Sequence, residues 1–301
     1  MNMEYKLLKE LGKGNFGTVW QAEKDGKIIA LKIIRFGDRR VQEIALREAK
    51  LLKKISTPFC HRSLACFYGY DIMRGNMYLE MEFIPGTTLT SFSKTYRTSG
   101  QLLRLNKLLI AIIYDICGGL EYMHKKNIIH RDVKPDNIMI DPSFQPKLID
   151  IGLACTTIRK EYANDNNTEY NFPNSQSPQG DVEIEIKKEE KCNVDGKIIS
   201  CCKGFAGTPL YIAPESLLDN VSYFSSDVFS LGASIYTSAT GRSLFLLKSQ
   251  TLDELKRAME YDNYPKLQTD NITLNTLVNN MILKDPLERM DTRQIMNSIN
   301  S

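Results

Sequence analysis

The sequence is short of the features that mark most specialised classes. Its seven cysteines are odd in number and contain no C-x-x-C pair, so they do not read as the disulfide framework of a small secreted domain. Neither sign of charge dominates: 39 basic residues stand against 36 acidic ones, a net +3 that implies no nucleic-acid and no membrane-surface partner. There is no long apolar run, because the most apolar stretch, Leu102 to Cys117, is interrupted by Arg104, Asn106, Lys107 and Asp115. The opening MNMEYKLLKE has neither the apolar core of a signal peptide nor a myristoylation glycine. No internal repeat is visible. These absences together predict an intracellular protein, cytoplasmic or nuclear, whose cysteines are thiols in a reducing setting.

What is present is ordinary globular material: 301 residues, 42% hydrophobic and 25% charged, enough to bury one large core or two modest lobes. Up to residue 84, short β-branched and aromatic runs alternate with turns. Tyr5–Leu11, Thr18–Ala22, Ile28–Ile34 and Met77–Phe83 read as strands. Between Arg39 and Ile55 the residues Val41, Ile44, Ala45, Ala49, Leu51 and Leu52 recur at helical spacing among charged ones, which predicts an amphipathic helix. After Pro85-Gly86 the pattern turns helical, most strongly over Leu102–Lys125 and Ser226–Thr240. A lobe boundary near residue 85 follows. From Cys155 to Lys203 the chain is rich in Asn, Ser, Glu and Lys and reads mostly as a long mobile loop. Within it VEIEIKKE and KIISCC flank the turn signal Val194-Asp195-Gly196, a candidate hairpin.

Chemistry-bearing residues appear in order along the chain. Gly12-Lys13-Gly14-Asn15-Phe16-Gly17-Thr18-Val19 lies between two strand candidates, where small residues let backbone N–H groups close over phosphates. A dinucleotide site would want a helix after the last glycine, and here a strand follows. By itself the run fits a ligand-free glycine hairpin equally well. Ala30-Leu31-Lys32 puts a lysine inside an apolar strand, which is costly unless it meets an anion. Glu48, on the amphipathic helix, is the carboxylate that would meet it. Further on come Ile129-His130-Arg131-Asp132-Val133-Lys134-Pro135-Asp136-Asn137-Ile138-Met139 and Lys147-Leu148-Ile149-Asp150-Ile151-Gly152.

With these runs on the page, the chain resembles the eukaryotic protein kinase family, over Tyr5 to about Ile299 and with only 155–203 outside the pattern. The resemblance implies an α+β fold of two lobes: a small β-rich lobe over 4–84, with a five-stranded antiparallel sheet and one helix, a larger helical lobe over 85–299, and 155–203 as an insertion within the activation segment. It implies a serine/threonine kinase using ATP and Mg2+, with protein substrates, acting as a monomer. Asp132 would be the catalytic base and Lys134 would steady the γ-phosphate. Lys32 and Glu48 would form the phosphate-positioning pair, and Asn137 and Asp150 would hold Mg2+. Met81, Glu82 and Ile84 would form the adenine hinge, and Leu11, Val19, Ala30 and Met139 would sandwich the ring. The loop Gly12, Lys13, Gly14, Asn15, Phe16, Gly17 would cover the phosphates.

Scaffold roles follow from the same resemblance. Gly207-Thr208-Pro209-Leu210-Tyr211-Ile212-Ala213-Pro214-Glu215 looks like the peptide-docking end of the activation segment, Glu215 would pair with Arg289, and Asp227 would brace the catalytic loop. Two departures stand out, Ile151 where the family usually has phenylalanine and Phe229 where tryptophan is common. Of the acids that arginine-seeking members carry, only Asp136 is present, with Thr88 and Thr237 at the other two positions. Arg131 before Asp132 often awaits a phosphate in this family. That leaves two readings open: phosphorylation of Thr156, Thr157, Ser200 or Thr208 by an upstream activating kinase or by autophosphorylation in trans, or constitutive activity. A scaffold that keeps the fold without turnover, and a small-molecule or dual-specificity kinase, are the rival functions.

Overall fold

A computed structural model describes residues 5–14, 17–162, 185–247, 249, 251–261 and 264–301. Its first part is a sheet in the order β1-β2-β3-β5-β4, antiparallel throughout. The strands are β1 (Lys6–Gly14), β2 (Gly17–Lys24), β3 (Lys27–Arg35), β4 (Phe67–Met73) and β5 (Asn76–Glu82). Met77, Leu79 and Met81 alternate along β5 and are all buried, because a period of two sends them to one face of the sheet. Helix α1 (Arg39–Ser56) buries Ala45, Glu48, Ala49, Leu51, Leu52 and Ile55. It begins at Asp38, whose side chain accepts the Val41 N–H at 2.9 Å and satisfies one of the first-turn donors.

The second part is helical. The chain passes through β6 (Thr87–Thr88), α2 (Leu89–Thr98), α3 (Leu102–Lys125) and β7 (Ile128–Ile129). A short 3-10 turn over Pro135–Asn137, then β8 (Ile138–Ile140) and β9 (Pro146–Leu148), follow. After the insertion come α4 (Pro214–Leu218), α5 (Phe224–Thr240), α6 (Leu252–Glu260), α7 (Ile272–Met281) and α8 (Thr292–Asn300). In α3 the residues Leu105, Leu109, Ile112, Ile116, Leu120 and Met123, spaced by three or four, are buried and form the spine of this lobe. Helix α5 is buried almost all round, and Gly241 ends it in the left-handed conformation at φ 73°. One apolar cluster runs through both lobes, from Ile34 to Ile295. At the crossing point Gly86 is required: a Cβ there would lie 2.1 Å from the Ile140 carbonyl oxygen, on the β8 strand that pairs with β6.

The insertion is more ordered at its base than its composition suggests. β10 (Cys155–Thr156) pairs with β7, and β11 (Ile158–Tyr162) pairs with β12 (Glu185–Glu189). β13 (Lys191–Val194) forms a hairpin with β14 (Lys197–Ser200), and β15 (Cys202–Lys203) pairs with β16 (Val221–Ser222). The hairpin turns at Asp195 and Gly196, both at positive φ, as expected of a tight two-residue turn. Its first strand is Lys191–Val194, however, while the expected partner VEIEIKKE supplies β12 (Glu185–Glu189), which pairs with β11 instead. The expectation of a mobile loop over the remaining stretch, residues 163–184, lies outside the described residues.

The cysteine reading needs correction. Six of the seven are paired, Cys60 with Cys66, Cys155 with Cys202 and Cys192 with Cys201, leaving Cys117 as a buried thiol. Odd number and spacing did not reveal this, since the partners lie up to 47 residues apart and meet only after folding. Among the described residues no helix is long and apolar enough to cross a membrane.

Candidate active site

The predicted site residues gather along the seam between sheet and helices. Ala30 sits opposite Met81, and Lys32 opposite Val19 and Leu79, in the pairing of β3 with its neighbours. Lys32 Nζ donates to Glu48 Oε1 at 2.7 Å and lies 3.7 Å from Asp150 Oδ1. Burial would pull the Lys32 ammonium down, and it pushes the Glu48 carboxyl up against the pull of the Lys32 charge; at 2.7 Å the two form a hydrogen-bonded pair. The carboxylates of Glu48 and Asp150 hold Lys32 above its ordinary value. Burial likewise pushes Asp150 up, yet the charge of Lys32 and the Gly152 N–H at 2.9 Å outweigh it and keep Asp150 below the usual carboxylate range. The Asp150 side chain is half exposed, open to the cleft.

The loop from His130 to Asn137 is held from behind. Asp227 is fully buried and accepts the backbone N–H of His130 at 2.9 Å and of Arg131 at 2.8 Å, with His124 Nε2 2.9 Å from Oδ2. These bonds stabilise a backbone in which Arg131 adopts φ 66°, unusual for a residue with a side chain. The turn so formed presents Asp132. Its carboxylate accepts from Lys134 Nζ at 2.8 Å, Asn137 Nδ2 at 3.0 Å and Thr208 Oγ1 at 2.6 Å, while Lys134 also reaches Thr208 Oγ1 at 2.9 Å. The Ile149 N–H donates to the Asn137 carbonyl at 3.0 Å, which brings Asn137 beside Asp150.

The place of Thr208 in this cluster was not legible in the sequence, where it read as part of a peptide-docking loop and as a candidate phosphorylation site, because its partner lies 76 residues away. Of the candidate phosphorylation sites, Thr208 is hydrogen-bonded to Asp132 and Thr157 is completely buried. Thr156 and Ser200 are half-buried. Arg131 was anticipated, but its companion Arg47 was not. Arg131 donates to the Leu153 and Gly204 carbonyls at 2.8 and 3.4 Å, and Arg47 to the Ala154 carbonyl at 2.9 Å. Burial, and secondarily the charge of Arg47, push Arg131 down to about 10.

At the hinge, Glu82 N–H donates to the Cys66 carbonyl at 2.8 Å and Gly86 N–H to the Ile84 carbonyl at 2.8 Å. The Glu82 carboxylate pairs with Lys147 at 3.0 Å. Met81 and Ile84 are buried, whereas Leu11, Gly12, Lys13 and Gly14 are exposed on β1, and Val19, Ala30 and Met139 are half-buried. Gly17 has no room for a Cβ, which would lie 2.3 Å from the Ile33 carbonyl oxygen. Asn15 and Phe16 lie outside the described residues. Ile151, the departure from the aromatic norm, is buried in the main core. Phe229 stacks against Phe245 and meets Tyr264 edge-on, with the Arg289 guanidinium 4.9 Å above its ring.

A five-stranded lobe over a helical lobe, with a lysine–carboxylate pair and a braced Asp-Lys-Asn loop at the seam, is the two-lobed architecture of the protein kinase class. Comparison with known proteins agrees. The chain belongs to the protein kinase domain family, matching over residues 5–174 and 186–299. It is 28% identical over 95% of its length to the probable serine/threonine protein kinase IRE of Arabidopsis thaliana, covering 24% of that protein. It is 26% identical over 95% of its length to the serine/threonine-protein kinase PknD of Chlamydia pneumoniae, covering 29% of it. The MAP kinase kinase kinase SSK2 of Saccharomyces cerevisiae is 26% identical over 80% of the chain, which covers 15% of that protein. The chain thus spans between 15% and 29% of the length of these curated relatives.

Proposed function

We propose that this chain is a protein serine/threonine kinase, transferring the γ-phosphoryl group of ATP to hydroxyls of protein substrates, with residues 4–299 as the catalytic unit and 155–203 as an insertion in its activation segment. The observation that carries the reading is the Asp132 cluster: one buried carboxylate facing Lys134, Asn137 and Thr208 at hydrogen-bond distance. Asp132 orients a substrate hydroxyl and takes its proton, in the place the Thr208 hydroxyl fills at 2.6 Å. Lys134, 2.8 Å from the same carboxylate, steadies the charge on the phosphate side. Lys32, positioned by Glu48, holds the more remote phosphates.

The residues fit a nucleotide and its metal. Glu82 N–H and the Ile84 carbonyl are already bonded within the protein, so adenine would meet the Glu82 carbonyl and the Ile84 N–H, an acceptor and a donor matching its amino group and ring nitrogen. Among the described residues there is no group of three or more His, Cys, Asp or Glu able to cage a metal. Mg2+ needs none, since it is held by one or two protein oxygens together with phosphates and water. Asp150 supplies a half-exposed, ionised carboxylate, and Asn137, whose amide nitrogen is committed to Asp132, has its carboxamide oxygen to offer. When bound, Mg-ATP supplies the phosphoryl group and much of the charge neutralisation.

The substrate is a protein, received by the loop from Gly207 to Glu215, and the chain acts as a monomer inside the cell, where ATP is abundant. The test is nucleotide binding by calorimetry with and without Mg2+. Asp150→Asn is expected to abolish the Mg2+-dependent part of the affinity while leaving adenosine binding intact, and an unchanged Mg2+ dependence would refute the ligand assignment.

A further inference from the structure

Cysteine placement at the base of the insertion has a functional consequence. Cys155 opens β10 and Cys202 opens β15, and their bond closes 47 residues of chain. Cys155 pairs with Ile129, the residue before His130, so one end of the bond abuts the catalytic loop. Cys202 pairs with Ser222 and leads through Gly204 to Gly207 and Thr208. Arg131 spans the two arms, donating to Leu153 before Cys155 and to Gly204 after Cys202. Ile129, Cys155 and Cys202 form a small apolar cluster of their own, with Phe224 against it. The neighbouring Cys192–Cys201 bond ties the β13–β14 hairpin to the same point. Cys60–Cys66 lies apart, in the turn before β4.

We infer that Cys155–Cys202 is a redox-controlled clasp: while the bond stands, the peptide-docking end of the activation segment is held against the catalytic loop, and reduction by a dithiol releases it. This rests on the kinase reading. The order of reduction follows from exposure, since Cys155, Cys201 and Cys202 are buried and Cys192 is half-buried. A dithiol thiolate attacks Cys192 Sγ, forming a mixed disulfide and expelling Cys201 as thiolate. The second sulfur of the dithiol then attacks its own partner sulfur, closing a cyclic disulfide and freeing Cys192. Two electrons pass from the dithiol to the cysteine pair, and its two protons end on Cys192 and Cys201. The same exchange with a second dithiol opens Cys155–Cys202 once the Cys192–Cys201 bond no longer ties the hairpin beside it.

Opening the clasp lowers the fraction of molecules whose docking loop is competent, and the Michaelis constant for peptide rises in inverse proportion. The nucleotide contacts at Lys32 and the hinge lie outside the clasp and keep their affinity.

The experiment uses the full chain, oxidised and then equilibrated across a dithiothreitol series. Disulfides are counted by differential alkylation and mass spectrometry, and peptide KM and nucleotide Kd are measured at each step. The clasp predicts that peptide KM rises about tenfold as Cys155–Cys202 opens, that nucleotide Kd holds throughout, and that reoxidation restores the KM. Cys192→Ser should make the clasp open at lower dithiol, and Cys60→Ser should change nothing. An unchanged KM on full reduction, or free thiols at Cys155 and Cys202 after oxidation, overturns it. If neither state transfers phosphate, the kinase reading fails, and the clasp is judged by trypsin cleavage at Lys203: faster cleavage after reduction supports it, and equal cleavage refutes it.

Discussion

Arg289→Leu should be among the most damaging single changes outside the catalytic cluster. The guanidinium is buried and donates to Glu215 Oε1 at 2.6 Å and Oε2 at 2.7 Å, a two-pronged bond. It also donates to the carbonyls of Leu283 at 2.6 Å, Lys284 at 2.8 Å and Ser225 at 3.2 Å. Leucine matches the aliphatic volume but leaves a buried carboxylate that, among the described residues, has only Ser226 Oγ at 2.5 Å to answer it. Removing one partner of such a pair costs about 3–5 kcal/mol, most of it the uncompensated charge. Glu215→Gln on the Arg289→Leu background removes that charge, so the double variant should recover part of the loss. The coupling should be of order 2 kcal/mol. Urea unfolding followed by far-UV circular dichroism measures all four corners of the cycle. A cost for Arg289→Leu below about 1 kcal/mol, or strict additivity of the two changes, would refute the bridge as the anchor of the docking loop.

Two further outcomes are expected. His130 is buried, its Nδ1 accepts the Asp132 N–H at 3.2 Å and its Nε2 has no partner among the described residues; burial holds its pKa below the ordinary value. The unfolded chain binds a proton there as pH falls below about 6.5 while the folded chain does not, so folding stability declines with falling pH. His130→Asn should flatten the dependence of unfolding free energy between about pH 7.5 and 5.5, with His61, also held low by burial, keeping its share in both proteins; an unchanged slope would count against this. Gly207 has φ 130°, and a Cβ there would lie 2.8 Å from the Arg131 carbonyl oxygen. Gly207→Ala should lower kcat/KM for peptide by about 5–150-fold, the equivalent of 1–3 kcal/mol of strain, while nucleotide affinity holds, and loss of both together would show that the loop is not specific to peptide docking.

Much of the framework was legible because it depends on periodicity. Helix α3 was expected over Leu102–Lys125 and has those bounds, since its apolar residues repeat at helical spacing without a break. Helix α1, by contrast, was read from a weaker stripe and runs one residue further, to Ser56. Strand β4 could not be placed from the sequence: its outward residues Tyr68, Tyr70 and Ile72 are exposed, so hydrophobicity does not mark an inner face, and Gly69 interrupts the run. The Lys32–Glu48 pair was foreseen, but the hold of Thr208 on Asp132 was not. The disulfides were missed for a related reason. Cys155 and Cys202 meet because β10 and β15 flank the catalytic loop, a consequence of tertiary pairing that spacing cannot carry.

The measurement that bears most directly on the kinase reading is transfer of labelled phosphate from ATP, with Mg2+, to generic protein substrates, followed by phosphoamino-acid analysis beside Asp132→Asn. With Asp132 holding Lys134, Asn137 and Thr208 about it, label should appear on serine and threonine and fall by about 10²–10⁴-fold in the variant, the range for losing a general base. Nucleotide binding without transfer, or transfer that survives Asp132→Asn, would contradict it.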